Sequence, residues 1–221
     1  MVGGKEGMES FTQFVRDFPF DRPGVFAEDS SNIIIIHNDK SKVEEVKGFV
    51  SEAVGEFAFN LKKKAGFDFN YNIRQCLTNL EFDNEYTRAF EKDNKTYFVQ
   101  YLNSTTICNS LSDMVKSSLV AGFTGLILPE SKNPMDHVFL SIGVDEALNG
   151  PGSFYQQFLE VYGRGENGKV DIQEMNKEYT RLCNNYTPAG AKFLEELKKR
   201  NPEGKSFVHL FKDRNYENFI G

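Results

Sequence analysis

The chain has no tryptophan, only three cysteines and no excess of positive charge, and each shortage excludes something. Cys76, Cys108 and Cys183 have neither a close partner in sequence nor the spacing of a metal site. A disulfide framework is therefore disfavoured, and a reducing compartment is indicated. The net charge of −6 disfavours general binding to nucleic acid or to an anionic membrane.

Long apolar runs are also missing. The longest, from 119 to 128, has only about half the length that a membrane-spanning helix needs. The first residues lack the apolar segment of a secretory signal peptide, so we expect a cytoplasmic protein. One alternative stays open, because the glycine-containing run at 119–128 is also compatible with a self-assembling or pore-forming protein that inserts it into a membrane as a hairpin.

What the chain does contain is phenylalanine, with 21 Phe and 9 Tyr in 221 residues. Phenylalanine buries a large area without a polar group that needs a partner. The hydrophobic fraction of 39% and the charged fraction of 26% are ordinary for a globular protein. At this length the chain can bury a core that needs no disulfide or metal to support it.

The first half of the chain predicts a strand followed by a long helix. Ile33–Ile36 is a continuous β-branched run, typical of a strand buried on both faces. Ser41 and Glu44 have the spacing of a capping box, and Gly66 is a helix stop signal. Apolar residues between them recur at helical spacing: Val43, Val46, Phe49, Val50, Ala53, Val54, Phe57 and Leu61.

Three strands are predicted next, because apolar and polar residues alternate over 67–73 and two strand-like runs follow at 85–91 and 95–102. We expect these strands to form an antiparallel β-meander packed on the long helix. Further strands are predicted at 123–128 and 137–144, after a helix that ends near Gly122. The fold class expected from this order is α+β.

The rest of the chain predicts mainly helix, with Pro188 at the first turn of one segment, where its missing N–H does no harm. The predicted helices are 153–162, 171–183, 188–199 and a short piece at 205–212. We therefore divide the chain into an α+β body at 1–148 and a helical C-terminal region at 149–221. The sequence leaves open whether the two share one core.

The segment from Tyr155 to Leu182 has the order apolar helix, twelve-residue loop (163–174) and apolar helix. Gly168 occupies the sixth loop position, where a sharp turn requires glycine, and Glu174 occupies the twelfth. The apolar helix positions are Tyr155, Phe158, Leu159, Val161 and Tyr162 before the loop, and Met175, Tyr179 and Leu182 after it. In these features the segment resembles an EF-hand.

The resemblance implies a calcium site with Asn167, Asp171 and Glu174 as its side-chain ligands. Gly163 and Gly165 stand where the family normally has aspartate, so two carboxylates are missing. Calcium takes about six to eight oxygen ligands, and its affinity rises with ligand charge. The implied site is therefore weak or absent. The other interpretation is an ordinary helical hairpin whose glycines allow close packing.

Catalytic candidates are few. His37 with Asp39, and His137 with Asp136, are the only neighbouring pairs of a histidine and a carboxylate, and each follows or begins a predicted strand. Cys108 begins a predicted helix, where a thiol can have a lowered pKa, but its apolar neighbours favour a place in the core. No phosphate-binding loop, dinucleotide fingerprint or zinc-binding histidine pair is present.

These patterns favour a non-enzymatic function. We expect the protein to bind another protein, or a second copy of itself, through aromatic and apolar residues of the helical region: Phe154, Phe158, Tyr162, Met175 and Tyr179. The alternative is an intracellular hydrolase or transferase that uses Cys108 or a His–Asp pair. A calcium ion is the only cofactor that the sequence suggests.

Overall fold

The computed structural model describes residues 13, 31–79, 86–92, 95–102, 115–117, 119–120, 124, 134–155, 158–159, 171–202 and 204. Its strands are β1 (Ser31–His37), β2 (Tyr71–Leu77), β3 (Tyr86–Lys92) and β4 (Lys95–Leu102). A 3₁₀ turn (Lys40–Lys42) leads into α1 (Val43–Ala65), and two further helices are α2 (Pro134–Asn149) and α3 (Ile172–Arg200). The described residues between 115 and 124 are helical as well.

The β-branched run forms the centre of a sheet. The side chains of Ile33–Ile36 are each at most 1% exposed, although successive side chains of a strand point to opposite faces. β1 pairs with β2 on one edge and with β4 on the other, so its backbone is hydrogen-bonded on both sides. The prediction of a strand buried on both faces is confirmed.

The predicted antiparallel meander is wrong, because the sheet is mixed and has the order β2-β1-β4-β3. β1 is parallel to both of its neighbours, with Ile35 opposite Gln75 on β2 and Gln100 on β4. Only β3 and β4 pair antiparallel, as the predicted hairpin. The physical reason is that β1, apolar on both faces, belongs in the middle of a sheet and separates β2 from the hairpin. Because β1, α1 and β2 form a parallel β–α–β unit, the α+β class expected from the sequence is only loosely compatible with the observed fold.

α1 begins differently from the prediction. The Asp39 carboxylate oxygen Oδ1 accepts hydrogen bonds from the Ser41 backbone N–H at 2.9 Å and from the Ser41 hydroxyl at 2.6 Å. Asp39 thereby caps the 3₁₀ turn, while Lys42 precedes α1 without a side-chain cap. The predicted capping box of Ser41 and Glu44 does not form, because Ser41 lies inside the 3₁₀ turn and Lys42 occupies the N-cap position of α1.

The apolar face and the end of α1 are confirmed. The Gly66 backbone has φ +77°, and its N–H donates to the Lys62 carbonyl at 3.1 Å, the left-handed helix ending that glycine allows. Two residues of the predicted face are not buried: Phe49 is 39% exposed, and Val43, at the helix start, is half-buried. The buried residues of the helix are Val46, Val50, Ala53, Val54, Phe57, Leu61 and Ala65.

α2 occupies the segment 137–144 that we predicted as a strand, so that prediction is wrong. Pro134 is its first residue, where the fixed φ of proline suits a helix start. Every residue from Ser141 to Glu146 is buried. Over 141–146 the helix is buried all round, and such a helix gives the same continuous apolar run as a buried strand, which periodicity cannot distinguish.

α3 is one helix where the sequence predicted a break before Pro188. Pro188 lies inside it and is exposed, as is Asn184, whose carbonyl would otherwise accept the missing N–H. Solvent can therefore reach that carbonyl. The helix continues because residues on both sides of the proline are buried, including Tyr179 and Leu197.

α2 and α3 cross with their backbones in contact. A Cβ atom at Gly143 would lie 2.1 Å from the Tyr186 carbonyl oxygen, and one at Gly190 would lie 2.2 Å from the Gly143 carbonyl. Only glycine fits at either position. This crossing brings the polar residues that follow Gly143 on α2 against α3.

The main hydrophobic core draws on both predicted regions of the chain. Ile33 and Ile35 of β1, Phe57 of α1, Val144 of α2 and Leu197 of α3 belong to one buried cluster. A second cluster lies between α2, the turn after it and α3, and its buried members are Ile142, Phe154, Phe158, Tyr179 and Leu182. The helical region therefore packs on the body.

Candidate functional site

The carboxyl ends of the three parallel strands meet at one edge of the sheet. His37, the last residue of β1, lies opposite Leu77 on β2 and Leu102 on β4. β2, which follows β1 in the chain, lies on one side of β1 in the sheet. β4 lies on the other side of β1, so the strand order reverses at β1. Sheets of this kind bind ligands outside the carboxyl ends of their strands at such a reversal.

His37 is fully buried at this edge and is oriented by Gln75. The Gln75 side-chain N–H donates to the Val43 carbonyl at 3.2 Å, which turns the Gln75 amide oxygen toward His37 Nε2 at 3.0 Å. Nε2 must therefore carry the proton that Gln75 accepts. In the neutral imidazole this leaves Nδ1 with a lone pair.

That lone pair has no donor among the residues that the structure describes. His37 Nδ1 and the side-chain oxygen of Asn38 are both buried atoms without a hydrogen-bond partner there. A buried acceptor without a partner costs roughly 1–3 kcal/mol, so each such atom needs an explanation. A ligand or water molecule with an O–H or N–H group would supply the missing bond.

Asp39 is not the partner of His37 that the sequence suggested. Its Oδ1 is occupied by Ser41, and His37 is held by Gln75 instead. Hydrogen bonds from the Ser41 hydroxyl and backbone lower the pKa of the Asp39 carboxyl from its ordinary value. Asp39 therefore brings a negative charge to the solvent-accessible rim of this edge at neutral pH.

The other catalytic candidates are not brought to this edge by any described contact. Cys108 lies outside the described residues, six positions after β4 ends at Leu102. Asp136 and His137 belong to the first turn of α2, and only their backbone is described. Cys183 contributes no reactive thiol, because burial, together with the Glu146 carboxylate, raises its pKa to about 11.

The described residues do not supply a calcium cage. Asn167 and most of the 163–174 loop lie outside them. Asp171 Oδ1 accepts the backbone N–H groups of Gln173 at 2.9 Å and Glu174 at 3.2 Å, so it caps α3. No group of three or more histidine, cysteine, aspartate or glutamate side chains suited to a metal ion occurs in the described part of the chain. Calcium binding and the EF-hand resemblance stay predictions.

The residues expected to bind a partner protein are mostly interior. Phe154, Phe158 and Tyr179 are buried, with Met175 packed partly buried against them, and Tyr162 is outside the described residues. The Phe158 and Tyr179 rings lie 5.2 Å apart. These side chains fill the second hydrophobic cluster, so they are not available as a docking surface.

The segment considered for membrane insertion is described only in part. Leu119 and Val120 are helical and buried, and most of 121–128 lies outside the described residues. Over the part of the chain that the structure covers, no helix combines the length and the apolar character needed to cross a membrane.

A second polar centre lies between α2 and α3, and sequence reasoning missed it. The Glu146 carboxylate accepts hydrogen bonds from the backbone N–H of Gly152 at 2.9 Å and of Phe154 at 3.2 Å. It also accepts one from the Tyr179 hydroxyl. Burial, reinforced by this contact, raises the pKa of Tyr179. Glu146 thus joins the turn after α2 to the middle of α3.

Asp145, the next residue toward the start of α2, is 0% exposed. Its Oδ1 accepts a hydrogen bond from the Asn149 side chain at 2.7 Å, whereas Oδ2 forms no well-aligned hydrogen bond with the described residues. Burial raises the pKa of the Asp145 carboxyl to about 6. Hydrogen bonding by the side chains of Ser117, Asn149 and Ser153 opposes the rise, and the Glu146 charge adds to it. A carboxyl that titrates near neutrality in a protein interior is unusual.

A sequence signal for Asp145 exists. Ile142, Asp145 and Leu148 recur every third residue, which on a helix places the aspartate on the buried face. Because we predicted a strand at 137–144, we did not read these residues at helical spacing. Gln75 carried no comparable signal, because its role depends on the parallel pairing of β1 and β2.

No protein-family model matches this chain, and comparison with curated proteins and with solved structures gives no match either. The geometry of these two polar centres is therefore the basis for inferring a function. At the edge near His37, Asn38 and Asp39 are partly exposed, so solvent comes close to it.

Proposed function

We propose that the protein binds a small molecule bearing hydroxyl or amino groups at the carboxyl edge of β1 and β4. His37 Nδ1 receives a hydrogen bond from the ligand. The observation that carries the proposal is the buried Nδ1 lone pair, fixed in orientation by Gln75 and without a donor among the described residues. A ligand donor would offset the roughly 1–3 kcal/mol that the unsatisfied acceptor costs.

The position of His37 supports this proposal. It ends the central parallel strand where the strand order reverses, the usual place for ligands in such sheets. It also lies close to solvent, because Asn38 and Asp39 follow it with partial exposure and Leu77, opposite it on β2, is 46% exposed. A ligand at this edge would contact the strand ends and the turn that leads into α1.

The polar atoms at the edge select the ligand chemistry. His37 Nδ1 and the Asn38 side-chain oxygen are both acceptors, and Asp39 adds a negative charge at the rim. Alcohols and amines supply the donors that such a site lacks. Phosphates and carboxylates bring further acceptors and a charge of the same sign, so we expect them to bind poorly.

The functions expected from the sequence remain untested beside this one, and two of them bear on the residues that the structure describes. A hydrolase or transferase would use the same Nδ1 lone pair to accept a proton from a ligand hydroxyl. Binding is proposed ahead of catalysis because no nucleophilic side chain among the described residues hydrogen-bonds to His37. The hypothesis of a protein partner stays a prediction. The residues named for it do not form an exposed surface, since Phe154, Phe158 and Tyr179 are buried.

Replacement of His37 by glutamine tests the proposal. His37→Gln can keep a donor toward Gln75 but removes the Nδ1 acceptor. Monosaccharides, polyols, nucleosides and small amines are titrated into the ¹⁵N-labelled protein, with the amides of Asn38, Asp39 and Leu77 as reporters. We expect at least one class to shift these amides, and its affinity to fall about 10-fold in the variant, which corresponds to about 1.4 kcal/mol.

His37→Asn is the matched control, because its side-chain oxygen keeps an acceptor near the Nδ1 position and the contact with Gln75 is lost. It should bind more tightly than His37→Gln. The proposal fails if no compound shifts the amides at this edge, or if His37→Gln binds as tightly as the wild type.

A further inference from the structure

The paired carboxylates of α2 lie where three other segments meet. Ser117, on the helical segment before α2, donates its hydroxyl to the Ser153 carbonyl at 3.2 Å, which links that segment to the turn after α2. Glu146 holds the same turn through two backbone N–H groups and holds α3 through Tyr179. Asp145 is enclosed within this junction.

The two carboxylates are not equally satisfied. Glu146 accepts well-aligned hydrogen bonds on both of its oxygens, whereas the Ser117 and Ser153 hydroxyls lie close enough to favour an ionised Asp145 but form no well-aligned hydrogen bond with its Oδ2. An ionised Asp145 therefore places a charge that has only neutral hydrogen-bond donors beside a second carboxylate in the protein interior. A protonated Asp145 carries no charge, and its O–H is a donor that the junction can use.

We propose that Asp145 is a proton-binding switch that sets how tightly the turn at 150–155 packs against α2 and α3. Proton uptake by the Asp145 carboxyl removes a buried charge and tightens this junction. Proton release restores the charge, repels Glu146 and loosens the junction. The effector is the proton itself, and the part that responds is the turn held by Glu146.

The groups that face the switch from each neighbouring element do not neutralise it. On its own helix the neighbours of Asp145 are Glu146 and the neutral Asn149. On α3, Tyr179 and Cys183 face Glu146, and both have raised pKa values. Lys116 is the nearby cation on the preceding helical segment, and its Nζ is paired with Glu56 of α1 at 2.9 Å. The lysine charge is thus paired with a carboxylate of α1.

The direction of the pH effect follows from the raised pKa. The native carboxyl titrates at about 6 and the unfolded one at the ordinary value of 3.8, so between these pH values only the native state is protonated. The contribution of Asp145 to the free energy of unfolding therefore falls as pH rises from about 4 to about 6, and stays low above that. A shift of about two pKa units corresponds to roughly a 100-fold change in the unfolding equilibrium constant.

Asp145→Asn removes the titration while keeping an acceptor for Asn149. Urea unfolding at about pH 4.5 and 7.5 measures the free energy of unfolding of both proteins. The wild type should be less stable at the higher pH, and Asp145→Asn should lack this difference. Amide exchange at Gly152 and Phe154, corrected for intrinsic rates, should be about 10-fold faster at the higher pH in the wild type and unchanged in the variant.

Asp171→Asn is the matched control, since the same substitution at an exposed residue should keep the pH response of the wild type. Titration of the Asp145 carboxyl carbon by NMR tests the switch on the unaltered protein, in case Asp145→Asn does not fold. A midpoint below about 4.5 overturns the proposal, as does equal protection of Gly152 and Phe154 at both pH values. The proposal is also overturned if Asp145→Asn is less stable than the wild type at about pH 7.5.

Discussion

At the scale of single residues, two glycines decide how α2 and α3 meet. Gly143 and Gly190 bring the two backbones into contact, and an added methyl group at either position would overlap a carbonyl group of the other helix. Backbone atoms cannot move aside as a flexible side chain can. The sequence shows these glycines, but nothing in it indicates that they face each other, because that depends on how the two helices cross.

We expect Gly143→Ala to destabilise the protein by about 1–3 kcal/mol, because an overpacked helix crossing forces the backbones apart. Urea unfolding followed by circular dichroism measures the change. Gly48→Ala is the control: it lies on the exposed face of α1 with no atom near its missing Cβ, and should raise stability by up to about 1 kcal/mol through helix propensity. Equal effects of the two substitutions would contradict the backbone contact.

At the scale of elements, local signals located several boundaries and failed at others. Gly66 ends α1 as predicted, since a left-handed ending is a property of a few neighbouring residues. The nature of α2 was missed because burial on all sides erases the helical period. Pro188 did not end α3, since the packing of Tyr179 and Leu197 on either side outweighs a missing hydrogen bond.

Asp171 gives a prediction at this scale, because it caps α3 through the N–H groups of Gln173 and Glu174. Asp171→Ala should lower stability by about 1 kcal/mol, and Asp171→Asn should leave it nearly unchanged, since asparagine caps as well as aspartate. Thermal unfolding without calcium measures both. If millimolar calcium raises the melting temperature of the wild type and not of Asp171→Ala, the ligand role implied by the EF-hand resemblance would be supported instead.

At the scale of the whole molecule, one core joins the sheet to the C-terminal helix. Leu197 is fully buried in the same cluster as Ile33 and Phe57, although more than a hundred residues separate them in sequence. The division that we predicted at 148/149 falls one residue before the end of α2. We therefore expect the body and α3 to unfold together.

Replacement of Leu197 tests this coupling. Leu197→Ala should cost about 2–5 kcal/mol and should speed amide exchange in β1 as well as in α3, because the cavity opens into their shared core. Lys192→Ala, at an exposed position of α3, is the control and should change neither. Faster exchange confined to α3 would indicate that the helix opens independently of the sheet.

The sequence by itself determined what depends on neighbours along the chain: the buried strand at Ile33–Ile36, the apolar face of α1, its end at Gly66 and the β3–β4 hairpin. It also singled out His37. The tertiary structure alone decided what depends on distant residues. Parallel pairing places Gln75 beside His37, and the packing of α2 buries Asp145 next to Glu146. Burial and orientation are set by packing partners, which no local pattern specifies.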